Sequence, residues 1–235
     1  MMENCPGLIK MSLMIKKHLL AFIILCGASF STFAVSLEEE LELGAQEHRK
    51  ILAQYGVYRD KELQTYIEKV GNRVADESSR PELTYHFTIL NDDVINAFAL
   101  PGGYIYITRG MLTHMNSESE LAAVLGHEVA HVTEKHAFRS QKRGKILGAA
   151  TAIASIVTGT PGVYELGNLF GGVLLKGYSR EFELEADEVG AEYMAKAGYS
   201  PEAMLKTIEI LKANDRIEIE QARIEKRTPK VYHGF

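Results

Sequence analysis

Two histidines and a glutamate, His127, Glu128 and His131, form the most chemically informative pattern in this chain of 235 residues. On a helix, a spacing of four residues turns both imidazoles to the same face, where they can bind one zinc ion. The glutamate between them would lie beside the metal and act as general base towards water. The alternative is a pair of capping or core histidines that are four residues apart by chance.

A third ligand is needed, because zinc in a hydrolase takes three protein ligands and leaves one position for water. Further along the chain, Glu183 and Asp187 are four residues apart and would share one face of a second helix. We predict Glu183 as the metal ligand and Asp187 as the carboxylate that holds a ligating imidazole by its other nitrogen. Glu181 and Glu185 compete for the ligand role, and a solvated acidic helix face is the alternative interpretation.

The helix that must carry the two histidines has a start signal and an apolar face. Ser117 fits an N-cap, and Glu120 fits the position from which a capping-box glutamate reaches back. Apolar side chains then recur at helical spacing, at Leu121, Val124, Leu125, Val129 and Val132. We predict a helix from about Ser117 to His136 with a buried side.

The rest of the chain predicts further helices and a few short strands. A helix over about residues 37–54 precedes a second helix that Asp60 can cap. Segments rich in β-branched and aromatic residues predict three strands, at about 83–90, 95–99 and 104–108.

Three segments together resemble the M48 metallopeptidases. Residues 96–103 are similar to the strand and turn before that family's active-site helix, residues 120–131 to the helix itself, and residues 178–187 to the third-ligand helix. The resemblance extends over about residues 40–212 and is strongest to periplasmic members that act in outer-membrane quality control. The family pattern continues past Phe235 with a Thr-His-Pro segment, so the resemblance predicts a chain that is truncated or lacks that element.

The resemblance implies an α+β fold: a mostly helical, gluzincin-like domain with a small antiparallel sheet beside the zinc helix. It also implies one Zn²⁺ per chain and an endopeptidase that hydrolyses peptide bonds in misfolded or unassembled envelope proteins. Substrate would lie extended along the strand before Pro101, with Asn96 and Ala97 lining the cleft. The implied partners are unfolded or misassembled protein substrates and the outer-membrane assembly machinery.

Two other interpretations stay open. The chain could be a chaperone-like binding module for outer-membrane proteins, with a structural or regulatory zinc, or a helical protein in which the motif arose by chance. The donor that stabilises an oxyanion is also left open among Tyr178, Arg180 and His233.

Residues 1–36 have the pattern of a signal peptide, in which a basic stretch and an apolar run precede small and polar residues. The apolar run is too short to span a membrane. We therefore predict cleavage near Ala34 or Ser36, export to the periplasm and a peptidase domain at residues 37–235. Residues 1–10 have the character of an upstream extension.

Both cysteines of the chain, Cys5 and Cys26, lie inside that leader. A mature chain without cysteine cannot hold zinc by thiolate, which leaves histidine and carboxylate as ligands. Cys26 could carry a lipid that anchors the protein at the outer membrane, but Leu25 before it is larger than the residue usual there. An ordinary cysteine in an apolar run is the competing interpretation.

The net charge of the chain bears on one class of partner. A net charge of −5 without a basic stripe gives no reason to expect binding to nucleic acid.

Residues 144–178 are apolar and rich in small residues, which allows either a transmembrane hairpin or a buried helix pair. We favour the helix pair, because the first apolar run is short and is interrupted by Thr, Ser, Gly and Pro.

Overall fold

The computed structural model describes residues 35–143 and 178–229. By its internal contacts the chain divides into Met1–Ser36 and Leu37–Phe235, and the fold described here belongs to the second unit. Residues 136–143 are helical. The other helices, numbered in chain order, are α1 (Leu37–Tyr55), α2 (Lys61–Ala75), α3 (Arg109–Leu112), α4 (Glu118–Thr133), α5 (Arg180–Lys196) and α6 (Glu202–Glu225). The leader predicted at the N-terminus lies almost wholly outside the described residues and stays a prediction.

Three short strands form one sheet beside α4. They are β1 (His86–Leu90), β2 (Ala97–Leu100) and β3 (Tyr104–Thr108), in the spatial order β1-β3-β2. The predicted fold class, a mostly helical α+β domain, is confirmed. The sheet is mixed rather than antiparallel, however, because β2 pairs antiparallel with β3 and β1 pairs parallel with it. The tight turn after β2 makes β3 its antiparallel neighbour, and the longer link from β1 to β2 leaves the central place to β3.

The turn from β2 into β3 is held by a buried ion pair. Gly102 and Gly103 have φ angles of 79° and 90°, in the left-handed region that favours glycine. The N–H of Gly102 donates to Oε1 of Glu40 on α1 at 3.3 Å, and Arg80 binds both oxygens of that carboxylate at 2.8 and 3.1 Å. Since Glu40 is only 1% exposed, its charge needs such a partner. These contacts fix the turn that follows β2.

The core is built around α4. Its residues from Glu120 to Thr133 are all buried, and it packs against α2, α5, α6 and β2. A helix that is covered on all sides is a core helix, so the burial is wider than the single apolar face that the spacing predicted. Ser117 Oγ accepts the Glu120 N–H at 3.2 Å, which confirms the N-cap. The Glu120 carboxylate binds the N–H of Asn116 at 2.7 Å, one residue before the position expected for a capping box.

The predicted helix is wrong in its last turn, because α4 ends at Thr133 and does not continue to His136. Lys135 has a φ of 53° and donates its N–H to the carbonyl of Val132 at 3.1 Å, as at a left-handed helix cap. A second helical stretch begins at residue 136. On a continuous helix, residues five apart would point about 140° away from each other. The break instead brings His136 back towards α4.

Two glycines let α4 and α5 approach each other closely. A Cβ atom built on Gly190 would lie 2.8 Å from the carbonyl carbon of Gly126 and 2.8 Å from the backbone nitrogen of His127. Both contacts are shorter than carbon and backbone atoms allow, and backbone cannot move aside as a flexible side chain can. The absence of a side chain at Gly190 therefore sets the distance between the two helices.

We expect Gly190→Ala to lower the free energy of unfolding by about 1–3 kcal/mol, the usual effect of an overpacked core. Alanine normally stabilises a helix relative to glycine by up to about 1 kcal/mol, so the predicted effect has the opposite sign. Urea unfolding of the variant beside Glu188→Ala, a change at an exposed position of the same helix, measures it. Unchanged or higher stability in Gly190→Ala would show that α4 and α5 can move slightly apart to accept the added methyl group at no cost.

Among the described residues, no helix is both long and apolar enough to cross a membrane. The apolar stretch at 144–178, with its two interpretations, lies outside the described residues except for Tyr178.

Candidate metal centre

Three side chains converge between α4 and α5. His127 and His131 lie on α4 and Glu183 on α5, and one possible ligand atom of each lies within 4.8 Å of the others. The Nε2 atoms of the two histidines are 2.9 Å apart. Oε2 of Glu183 is 3.3 Å from Nε2 of His127 and 3.7 Å from Nε2 of His131. All three side chains are buried, so the predicted ligands meet in a site shielded from solvent.

The spacing of these atoms fits a tetrahedral zinc ion. Bonds of about 2.0–2.1 Å at tetrahedral angles place neighbouring ligand atoms about 3.3 Å apart. The observed separations of 2.9, 3.3 and 3.7 Å bracket that value. Two imidazoles and one carboxylate are also a donor set that zinc takes in hydrolases, with the fourth position left for water. The group could therefore hold a metal ion of this kind.

His127 and Glu183 each have a further contact that orients the side chain. Oδ1 of Asp187 lies 2.9 Å from Nδ1 of His127, so a neutral His127 ring carries its proton on Nδ1 and its lone pair on Nε2. The N–H of Tyr178 donates to Oε1 of Glu183 at 3.0 Å, which leaves Oε2 facing the histidines. Asp187 thus lies against the outer nitrogen of a histidine in the cluster.

Glu181 and Glu185, which compete with Glu183 for the ligand role, lie away from the two histidines. Glu181 is exposed and forms a bidentate pair with Arg143, with both contacts at 3.0 Å. Glu185 lies 3.1 Å from Nε2 of His136 and 2.8 Å from Arg139. Of the three glutamates that the sequence left open, only Glu183 reaches the two histidines.

Glu128 lies on α4 between the histidines and is 3% exposed. Burial raises the pKa of its carboxyl to about 7, although the neighbouring His127 lowers it and Glu183 raises it further. A carboxyl group with a pKa near neutrality can take up a proton and return it within one turnover. The role of Glu128 as general base stays a prediction from its position between the two histidines.

The surrounding charges favour a cation at the cluster. Burial lowers the pKa of His127, but its hydrogen bonds with Asp187 and Glu183 outweigh that effect and raise the pKa to about 9. Burial raises the pKa of Glu183, and its hydrogen bonds with His127 and His131 then bring it well below its usual range. The same carboxylates that favour a proton on the ring favour a metal ion that displaces the proton.

Two further residues lie against His131: His136, which the sequence analysis did not place at the site, and Tyr178, one of the oxyanion donors that it left open. Nδ1 of His136, which is fully buried, is 2.7 Å from Nδ1 of His131. The ring of Tyr178 stacks on the His131 ring, with 4.4 Å between centroids. The only sequence signal for His136 was a further histidine beyond the motif, and a continuous helix would have turned it away. Of the other oxyanion donors left open, Arg180 is exposed and His233 lies outside the described residues.

The end of β2 borders the cluster. Ala99, Leu100 and Pro101 line a pocket together with His131 and Tyr178. This pocket therefore lies between the end of β2 and His131 of the candidate metal centre.

The backbone of β2 presents alternate residues to its open side, where no further strand pairs with it among the described residues. The N–H of Thr108 donates to the carbonyl of Asn96 at 3.0 Å, so the Asn96 carbonyl faces β3. Because alternate residues of an antiparallel pair face the partner strand, the N–H and C=O groups of Ala97 and Ala99 face the open side. Of the two predicted substrate contacts, Ala97 presents its backbone to this edge and Asn96 does not.

Comparison with known proteins agrees with this geometry. The model of peptidase family M48 matches residues 61–231. The beta-barrel assembly-enhancing protease of Escherichia coli K12 is 28% identical over 206 residues, which cover 84% of this chain and 41% of that protein. A putative beta-barrel assembly-enhancing protease of Vibrio cholerae is 32% identical, over 72% of this chain and 37% of its own length. The mitochondrial metalloendopeptidase OMA1 of Schizosaccharomyces pombe is 29% identical, over 72% and 51%.

The alignments thus span about half or less of the length of these relatives. The family match, in contrast, covers most of this chain and includes both helices of the candidate metal centre. The chain therefore belongs to peptidase family M48.

Proposed function

We propose that this chain is a zinc-dependent endopeptidase with one Zn²⁺ held by His127, His131 and Glu183. The observation that carries the proposal is the convergence of two imidazole nitrogens and one carboxylate oxygen, at tetrahedral spacing, beside the buried carboxyl group of Glu128. A closed structural zinc site has four protein ligands and no use for a base. Membership of a peptidase family supports the same conclusion.

The residues of the site have distinct tasks in peptide hydrolysis. Zinc held by His127, His131 and Glu183 would lower the pKa of a bound water towards about 7 and polarise the carbonyl group of the substrate. Glu128 takes the proton of the attacking water at its carboxylate and delivers it to the nitrogen of the departing amine. Asp187 accepts the Nδ1 proton of His127 in a hydrogen bond, so it keeps the ring turned towards the metal.

Substrate would bind as an extended strand on the open side of β2. The N–H and C=O groups of Ala97 and Ala99 would pair with it, and Asn96, the other residue predicted to line the cleft, would act through its side chain. Strand addition recognises backbone and requires little of the side chains, so it suits unfolded segments of many proteins. Folded proteins already use these backbone groups internally.

The natural substrates are then misfolded or unassembled proteins of the cell envelope, as part of protein quality control. Relatives named beta-barrel assembly-enhancing proteases support this choice and suggest outer-membrane assembly machinery as a partner. The signal-peptide pattern of residues 1–36 supports export to the periplasm. The net charge of −5 gives no reason to expect association with nucleic acid.

The zinc-loaded chain should cleave unfolded casein, lose this activity when a chelator removes the metal, and regain it when zinc is added back. Fragments on a gel and by mass spectrometry provide the measurement, with a tightly folded protein of similar size as the control substrate. Cleavage that persists without metal would contradict a metallopeptidase. Zinc bound at one per chain without any cleavage would favour the chaperone-like binding module.

A further inference from the structure

The two histidines of the candidate metal centre are supported in different ways. His127 contacts a carboxylate directly, through Asp187 at 2.9 Å. His131 instead contacts a second imidazole, because its Nδ1 lies 2.7 Å from Nδ1 of His136. Nε2 of His136 lies 3.1 Å from Oε2 of Glu185. A hydrogen-bonded series therefore leads from Glu185 through His136 to His131.

We infer that His136 and Glu185 are positioning residues that set the tautomer of His131. A carboxylate can only accept, so Glu185 holds the His136 proton on Nε2 and leaves a lone pair on Nδ1. That lone pair accepts the Nδ1–H of His131, and the His131 lone pair is then on Nε2, facing His127 and Glu183. This inference rests on the proposed metal site, in which Nε2 of His131 is a ligand atom.

The opposite proton arrangement is incompatible with that ligand role. If His136 donated through Nδ1, Nδ1 of His131 would have to accept, and a neutral His131 would carry its proton on Nε2. A nitrogen that carries a proton has no lone pair for a metal. The direction of the hydrogen bond between the two rings thus decides whether His131 can bind zinc.

An imidazole in this place also limits the buried negative charge. Glu183 and Asp187 already bring two carboxylates to the cluster, and a third one directly against His131 would add desolvation and repulsion. With His136 in between, Glu185 is one ring further out, about a third exposed, and paired with Arg139 at 2.8 Å. This series of hydrogen bonds, which we call the relay, keeps the hydrogen bond that orients His131. It also leaves the negative charge of Glu185 near solvent.

The fold holds this relay in place. Lys135, with its positive φ, reverses the chain so that His136 returns to α4. The His136 ring stacks on Phe182 of α5, with 4.5 Å between centroids and 18° between planes. The guanidinium group of Arg139 lies over the Phe182 ring, 4.5 Å from its centroid, and also binds Glu185.

Zinc affinity of the full chain, measured by competition with a chromophoric chelator, tests the inference. We expect His136→Phe, which keeps a stacking ring and loses the acceptor, to bind zinc about 10–100-fold more weakly, as is typical when the support of a ligand is removed. His136→Asn, whose carbonyl can accept near the same position, should recover part of the loss. Glu185→Ala should also weaken binding, whereas Glu181→Ala, at an exposed position of the same helix, should match the wild type.

The proton positions give a readout that a purely packing role would not change. In ¹⁵N spectra of the zinc-loaded chain, His131 should carry its proton on Nδ1 and His136 on Nε2. Wild-type affinity in both His136→Phe and Glu185→Ala, or a proton on Nδ1 of His136, overturns the inference while the metal site stands. A wild-type chain that binds no zinc at this site overturns the proposed function and this inference together.

Discussion

Replacement of Glu128 with glutamine should lower kcat for peptide hydrolysis by about 10³-fold, within the range that general base catalysis contributes. The amide is nearly the same size as the carboxyl group but cannot take a proton from water. The side chain is not one of the three groups that converge as ligands, so zinc should still bind at one ion per chain. Steady-state kinetics on a fluorogenic peptide and zinc analysis of the same samples provide the measurement.

The matched control is Glu188→Gln, an identical change at an exposed position of α5, which should leave kcat unaltered. If Glu128→Gln turns over within a few-fold of the wild type, the base is another group. If the variant loses its zinc, Glu128 acts in metal binding and the division of roles within the site is wrong.

Much of this site could be predicted from spacing because helices repeat at fixed intervals. His127 and His131 share a face of α4 for the reason given by a four-residue spacing, and Glu183 and Asp187 share a face of α5 in the same way. The Ser117 cap and the β3 strand lie where short-range signals predicted them. Interactions between residues close in sequence determine such features.

Other features depend on contacts between elements that are distant in sequence. The parallel pairing of β1 with β3 follows from strand order, which alternation within each strand does not encode. The burial of α4 on all sides depends on coverage by α2, α5, α6 and β2. The break at Lys135 is equally hard to predict from the sequence. Lysine has no special preference for positive φ, and the apolar pattern continues to Val132 without a sign of the break. That break explains why the relay through His136 could not be predicted.

Replacement of Glu183 with glutamine should weaken zinc binding by more than about 100-fold, beyond the 10–100-fold effect usual for residues that only support a ligand. The change keeps the size of the side chain but replaces an anionic ligand with a neutral amide, which the metal binds much less well. Competition with a chelator gives the affinity. Activity at saturating zinc would show how much of the defect is due to metal loss.

The neighbouring glutamates of α5 allow the same substitution to be compared on different faces of one helix. Residues four apart lie on the same side of a helix, and residues two apart on roughly opposite sides. Glu183 faces the histidines of α4, whereas Glu181 and Glu185 face Arg143 and Arg139 of the helical stretch 136–143.

The same substitution at the three positions should therefore weaken zinc binding most at Glu183, less at Glu185 and not at Glu181. Glu185 acts only through His136, and the amide oxygen of the glutamine introduced in Glu185→Gln can still accept a hydrogen bond from that ring. Glu181 forms an exposed ion pair that contributes little. A larger loss in Glu185→Gln than in Glu183→Gln would mean that the metal lies on the other side of α5, with His136 rather than His127 among its ligands.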